Sequence, residues 1–174
     1  MTLFPARPRP LAICLAVAAL APCAFAKVPA GLPNFQTVAP GIYRGAAPTR
    51  QGLAALKAMG VHTVIDLRIA PKTVRAEKAA AERLGLAWMN IPMGKEAPTR
   101  KQVDRLLAAL AKAPREPVFV HCQHGADRTG AMIGIYRVQV QKWPFDRAYA
   151  EMRRYGFKPY LTELKNAVRS RATR

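Results

Sequence analysis

Residues 117–141 constrain what this chain can fold into more than any other stretch. Pro117, Val118, Phe119 and Val120 form an apolar run with the character of a buried strand. HCQHGADRTG (residues 121–130) follows, and then a helical pattern to residue 141. A strand that passes through a short glycine-bearing loop straight into a helix is half of a parallel crossover unit, so all-helical and all-β folds are excluded. The unpaired N–H groups of the helix's first turn face the loop and make an anion site. In open α/β sheets ligands bind at the carboxyl ends of the strands, which is where this loop falls.

The rest of the chain fits the same class. Strands are predicted over residues 35–39, 42–44, 61–67, 86–91 and 117–121. Helices are predicted over 49–59, with Thr49 as N-cap and Gly60 as stop, and over 72–84, stopping at Gly85. Further helices are expected at 99–112, with Val103, Leu106, Leu107 and Leu110 on one face, and at 128–141, 144–155 and 159–170. The expectation is a single-domain three-layer α/β sandwich over residues 35–174, its mainly parallel central sheet flanked by helices. Residues 27–34, rich in Pro and Gly, are expected as an extended lead-in.

The first 26 residues read as a cleaved secretory signal. Arg7 and Arg9 precede a short apolar run over residues 11–20, too short to span a membrane, and Ala24, Phe25 and Ala26 fit a small-x-small cleavage site. A lipoprotein reading at Cys23 is poor because Pro22 precedes it, and an uncleaved anchor is a third option. The expectation is an exported, periplasmic bacterial protein cleaved near Ala26. Cleavage removes Cys14 and Cys23 and leaves Cys122 with no cysteine to bridge.

With 28 Lys and Arg against 10 Asp and Glu, the chain carries +18. Solvated basic helix faces, a field that steers polyanions to a cleft, and weak contact with anionic surfaces all fit this charge. No basic stretch interleaved with aromatics forms a stacking platform, so specific nucleic-acid binding is not expected. A monomer is expected.

Cys122 and Arg128 supply a nucleophile and a planar fork that matches two phosphate oxygens. Loop N–H dipoles and Arg128 favour the thiolate at Cys122. The His-Cys-x5-Arg-Thr pattern, with Gly125 third after the cysteine, resembles the signature of the cysteine-dependent protein tyrosine phosphatases, in particular their dual-specificity-like branch. Residues 41–48 (GIYRGAAP) and 64–68 (VIDLR) resemble segments common in bacterial, plant and fungal members. The resemblance implies a metal-independent, cofactor-free hydrolase acting through a phosphocysteine intermediate. It implies that His121 holds the loop's shape and that Thr129 donates its hydroxyl to the Cys122 sulfur. Gln123, His124, Gly125, Ala126, Asp127 and Arg128 would cradle the phosphate. The histidines flanking Cys122 lack the second ligand cluster of a zinc site.

The general acid is where the chain departs from the family. The loop that usually carries an aspartate reads PMGKEAP (residues 92–98), and Glu96 is its one carboxylate. Asp127 is an equal candidate, since its position resembles that of the proposed acid in myotubularin-type loops; alternatively it caps the following helix. Asp104, on a predicted helix, is a poorer choice. The implied substrates are a phosphorylated protein, with phosphotyrosine leading, or a small phosphate monoester. An inositol phosphate or phospholipid head group is the alternative, suited by Asp127, His124 and Lys95. A non-catalytic phosphate-binding module and a rhodanese-type sulfur-transfer protein are further rivals.

Overall fold

The computed structural model describes residues 28–172. Its strands are β1 (Gln36–Ala39), β2 (Ile42–Gly45), β3 (Thr63–Asp66), β4 (Ala87–Asn90) and β5 (Val118–His121). Its helices are α1 (Arg50–Ala58), α2 (Pro71–Arg83), α3 (Arg100–Ala111), α4 (Asp127–Gln139), α5 (Phe145–Arg154) and α6 (Thr162–Arg169). They form one sheet of order β1-β2-β5-β3-β4, parallel except for the β1–β2 pair. The expected mainly parallel, helix-flanked sandwich is what the chain forms.

β5 lies at the centre of the sheet and all four of its residues are buried, as a near-continuous apolar run requires. Its side chains alternate between the two faces. Phe119 joins Leu53 and Leu56 of α1, Ala81 of α2 and Val64 of β3 in one core. Val118 and Val120 join Val103 and Leu106 of α3, Met132 and Ile133 of α4, and Leu164 of α6 in the other. His121 stacks on Phe119, at 5.6 Å between ring centroids, and so lies toward the first core. α4 is buried from Thr129 through Val138, a helix enclosed by the sheet on one side and by α5 and α6 on the other. On α3, Val103, Leu106 and Leu110 are buried and Leu107 only partly.

Thr49 caps α1 through its side chain and Thr99 caps α3 in a capping box with Gln102. Two segments differ from expectation. Residues 28–34 are not extended; they form turns, with Gly31 at φ 80° and Asn34 at φ 51°, because Leu32 (1 % exposed) must reach the core beside Leu53. α6 begins at Thr162 rather than near 159, since the Leu161 N–H closes a turn on the Lys158 carbonyl (3.1 Å) before the helix starts. The leader expected over residues 1–26, with Cys14 and Cys23, lies outside the described residues. None of the described helices is long and apolar enough to cross a membrane.

Candidate active site

Between β5 and α4 every carbonyl from Cys122 to Gly125 is tied to the surrounding scaffold. The Cys122 carbonyl accepts from His121 Nδ1 (3.1 Å), and that of Gln123 from the Ala47 N–H (3.3 Å). The His124 carbonyl accepts from Asn34 Nδ2 (3.1 Å), and that of Gly125 from Arg44 Nη2 (2.7 Å). Carbonyl and N–H point in opposite directions across a trans peptide, so fixing the carbonyls outward turns the N–H groups inward. The N–H groups of residues 123–128 have no hydrogen-bond partner among the described residues. They form a cradle at the positive end of α4, suited to an anion.

Gly125 makes this packing possible. Its φ is 68°, and a Cβ there would lie 2.4 Å from the Gly45 carbonyl carbon and 2.6 Å from the Ala46 nitrogen. The loop therefore rests directly on the backbone at the end of β2.

Cys122 is set back in the loop (2 % exposed) as a free thiol. Beside it a cleft of about 320 Å³ is lined by His124, Asp127 and Arg128, with Lys95 and Lys158 adding positive charge and Ile69, Tyr160 and Leu161 giving apolar walls. Gln123 is exposed at the loop's edge, while Ala126 is buried. The Thr129 hydroxyl is buried without a hydrogen-bond partner, so the expected donation to the Cys122 sulfur is not made in this conformation. Asp127 is the first residue of α4, and its Oδ1 accepts the Lys158 N–H (2.9 Å). Ala126 precedes the helix with no side-chain cap, so Asp127 does not cap α4 as the alternative reading supposed; it pins the segment before α6 to the loop. Glu96 is exposed near the rim, its carboxylate folded over Gly94, which itself lines the cleft. Asp104 is exposed one turn into α3, paired at 3.6 Å with Arg100.

Beneath the loop lies a buried charged network. His121, fully buried, sets Nε2 2.8 Å from Glu77 Oε1. Arg68 grips Asp66 with Nε and Nη2 and reaches Glu77 Oε2 at 2.6 Å. Burial acts to lower the Arg68 pKa, but the hydrogen bonds and charges of Asp66 and Glu77 outweigh it and raise it. Asp66, Glu77 and His121 present three ligand-type atoms within 4.8 Å of one another. Arg68 already pairs with both carboxylates and His121 with Glu77, so the set is accounted for as a hydrogen-bonded ion-pair network.

Asn34, Arg44, Asp66, Arg68, Glu77 and Lys158 were not assigned roles by sequence reasoning. For Glu77 a signal existed: Val74, Glu77 and Ala81 stand at helical spacing on one face of α2, and a carboxylate on an apolar face needs a partner. For Asn34 and Lys158 none did, because both act through contacts distant in sequence.

The family described as "DSP-PTPase phosphatase fused to NAD+ Kinase" matches residues 29–170. The chain is 32 % identical over 125 residues to the dual specificity protein phosphatase TpbA of Pseudomonas aeruginosa (strain UCBPP-PA14), covering 71 % of this chain and 55 % of that protein. It is 31 % identical over 114 residues to the inositol diphosphatase DSP3 of Arabidopsis thaliana, covering 63 % and 56 %. The chain thus spans about half the length of the curated relatives it matches. A crystal structure of P. aeruginosa TpbA, carrying a cysteine-to-serine substitution and in complex with phosphotyrosine, superimposes with a TM-score of 0.67 at 27 % identity, over 78 % of this chain and 83 % of that one.

Proposed function

Because the chain belongs to the DSP-PTPase family of dual-specificity-like phosphatases, we propose that it hydrolyses phosphate monoesters through Cys122, with phosphotyrosine-containing protein as the leading substrate. The observation that carries this reading is the loop whose carbonyls are all tied outward, leaving inward N–H groups between the Cys122 thiol and Arg128.

The cradle and Arg128 bind the three non-bridging phosphate oxygens. The Cys122 thiolate attacks phosphorus, the bond to the ester oxygen breaks, and that oxygen takes a proton from Glu96 or Asp127. Water then attacks the phosphocysteine and inorganic phosphate leaves. The buried Thr129 hydroxyl, with no other partner, is available to donate to the sulfur as the thiolate departs. His121 holds the Cys122 carbonyl, and Glu77 holds His121. The leader-like residues 1–26 support an exported, periplasmic location, and we take the protein to be a monomer.

A second reading rests on the cleft: Lys95 and Lys158 add cationic groups beyond Arg128, and His124 a further hydrogen-bonding group, as a multiply phosphorylated inositol would require, and several relatives are inositol diphosphatases. The test is phosphate release by the protein and its Cys122→Ser variant from phosphotyrosine peptide, phosphoserine peptide and an inositol polyphosphate. Cysteine-dependent release favouring phosphotyrosine is expected. Preference for the inositol compound would replace the leading substrate, and no release from any of them would leave only a phosphate-binding module.

A further inference from the structure

We propose that Arg44 is a second cation of the anion site and a positioning residue for its loop, acting from inside the protein on the Cys122 thiolate and on bound phosphate. The part concerning phosphate rests on the phosphatase reading; the part concerning the thiolate does not.

Arg44 lies on β2 and is only 1 % exposed. Its Nη2 donates to the Gly125 carbonyl (2.7 Å), its guanidinium sits 4.6 Å from the centroid of the Tyr155 ring, and its Nε and Nη1 have no partner among the described residues. A buried guanidinium with unpaired N–H groups is costly, whereas one carbonyl can be held by a neutral donor. Asn34 does that for His124, one residue away. Holding Gly125 therefore does not account for a full charge at this position.

Nor does any carboxylate neutralise that charge. Among the described residues no acid lies within ion-pair distance of Arg44. The nearby Glu151 of α5 is already gripped by Arg137 of α4, at 3.0 and 2.6 Å. Burial lowers the Arg44 pKa from 12.5 to about 10, Glu151, Tyr155 and Cys122 act to raise it, and Arg137 acts to lower it. Arg44 thus remains cationic at neutral pH. The coupling to Cys122 is reciprocal: if the thiolate favours the guanidinium, the guanidinium favours the thiolate. Arg128 meets the anion from the cleft side, and Arg44 supports the loop from the protein side.

The test uses the full chain and its Arg44→Met and Arg44→Lys variants, with Cys122 alkylation by iodoacetamide at mildly acidic pH as the first readout. Arg44→Met should slow alkylation about tenfold, the effect of one unit in thiol ionisation, and Arg44→Lys, which keeps the charge, should recover part of the rate. The second readout uses unmodified protein: the Arg44 Nε–H resonance, assigned by its loss in Arg44→Lys, should shift when inorganic vanadate is added. Unchanged alkylation in Arg44→Met, even with phosphate release lost, would make Arg44 a structural clamp and overturn the proposal while leaving the phosphatase reading intact. If Arg44→Met does not fold, the vanadate titration decides, and an unmoved resonance overturns the proposal. Alkylation that depends on Arg44 in a protein releasing no phosphate would support the second cation and reject the phosphatase reading.

Discussion

Replacing Gly125 by Ala probes the cradle at the point where sequence and packing meet. At φ 68° an alanine sits in left-handed backbone at a cost of about 1–2 kcal/mol. The added methyl would also lie 2.4 Å from the Gly45 carbonyl carbon, 2.5 Å from its oxygen and 2.6 Å from the Ala46 nitrogen. These are backbone atoms at the end of β2, held by the pairing of Gly45 with His121 and by the Ala46 N–H donating to the Pro33 carbonyl (2.8 Å), and cannot rotate away. Overpacking of this kind costs about 1–3 kcal/mol. If the loop lifts to escape, it loses the Arg44–Gly125 hydrogen bond, worth about 1.5–3 kcal/mol with its charged donor. The alternatives overlap rather than add, so the expected loss is about 3 kcal/mol, or about 6–12 °C in a domain of this size. Lifting also releases the Gly125 carbonyl, and phosphate release should fall about 100-fold, the scale of losing one preorganised donor. Gly60→Ala serves as the control, since Gly60 has φ 79° but open space around it and carries the backbone cost alone. Thermal melting by circular dichroism and phosphate release from an aryl phosphate measure both effects. If Gly125→Ala melts where Gly60→Ala does and keeps full activity, the close approach of the loop to β2 is wrong.

Glu77→Gln should destabilise the fold by about 3 kcal/mol, because it removes a buried charge from between Arg68 and His121. It should also lower kcat with KM little changed, since Glu77 reaches the chemistry only through His121; an unchanged urea midpoint would count against the network. For the general acid, either Glu96→Gln or Asp127→Asn should lose the basic limb of the pH–rate profile and about 10²–10⁴ in kcat on a substrate with a poor leaving group. If both variants keep the limb, the proton comes from elsewhere.

By itself the sequence determined the elements and the chemistry that are local in the chain. The apolar run before Cys122, the glycine third after it and the helical pattern beyond it define strand, loop and helix within about twenty-five residues, and each depends on near neighbours. Thr49, Gly60, Gly85 and Thr99 mark helix ends for the same reason, because caps and stops act within one turn. Apart from His121, whose role the family resemblance already implies, what holds the loop is settled by tertiary contacts. The carbonyls of residues 122–125 are tied by His121, Ala47, Asn34 and Arg44, and three of these four lie more than 70 positions away in the chain. Parallel pairing of β2 and β3 with β5 brings those segments together at one end of the sheet. The same distance explains why residues 28–34 pack as turns instead of extending: only the folded core offers Leu32 a place beside Leu53. It explains Asp127 too, since an aspartate at the start of a helix suggests a cap until the Lys158 N–H arrives from the turn before α6. Periodicity and capping are short-range physics and can be read along the chain; satisfying buried polar groups is a long-range requirement, met only once the sheet order brings the partners together.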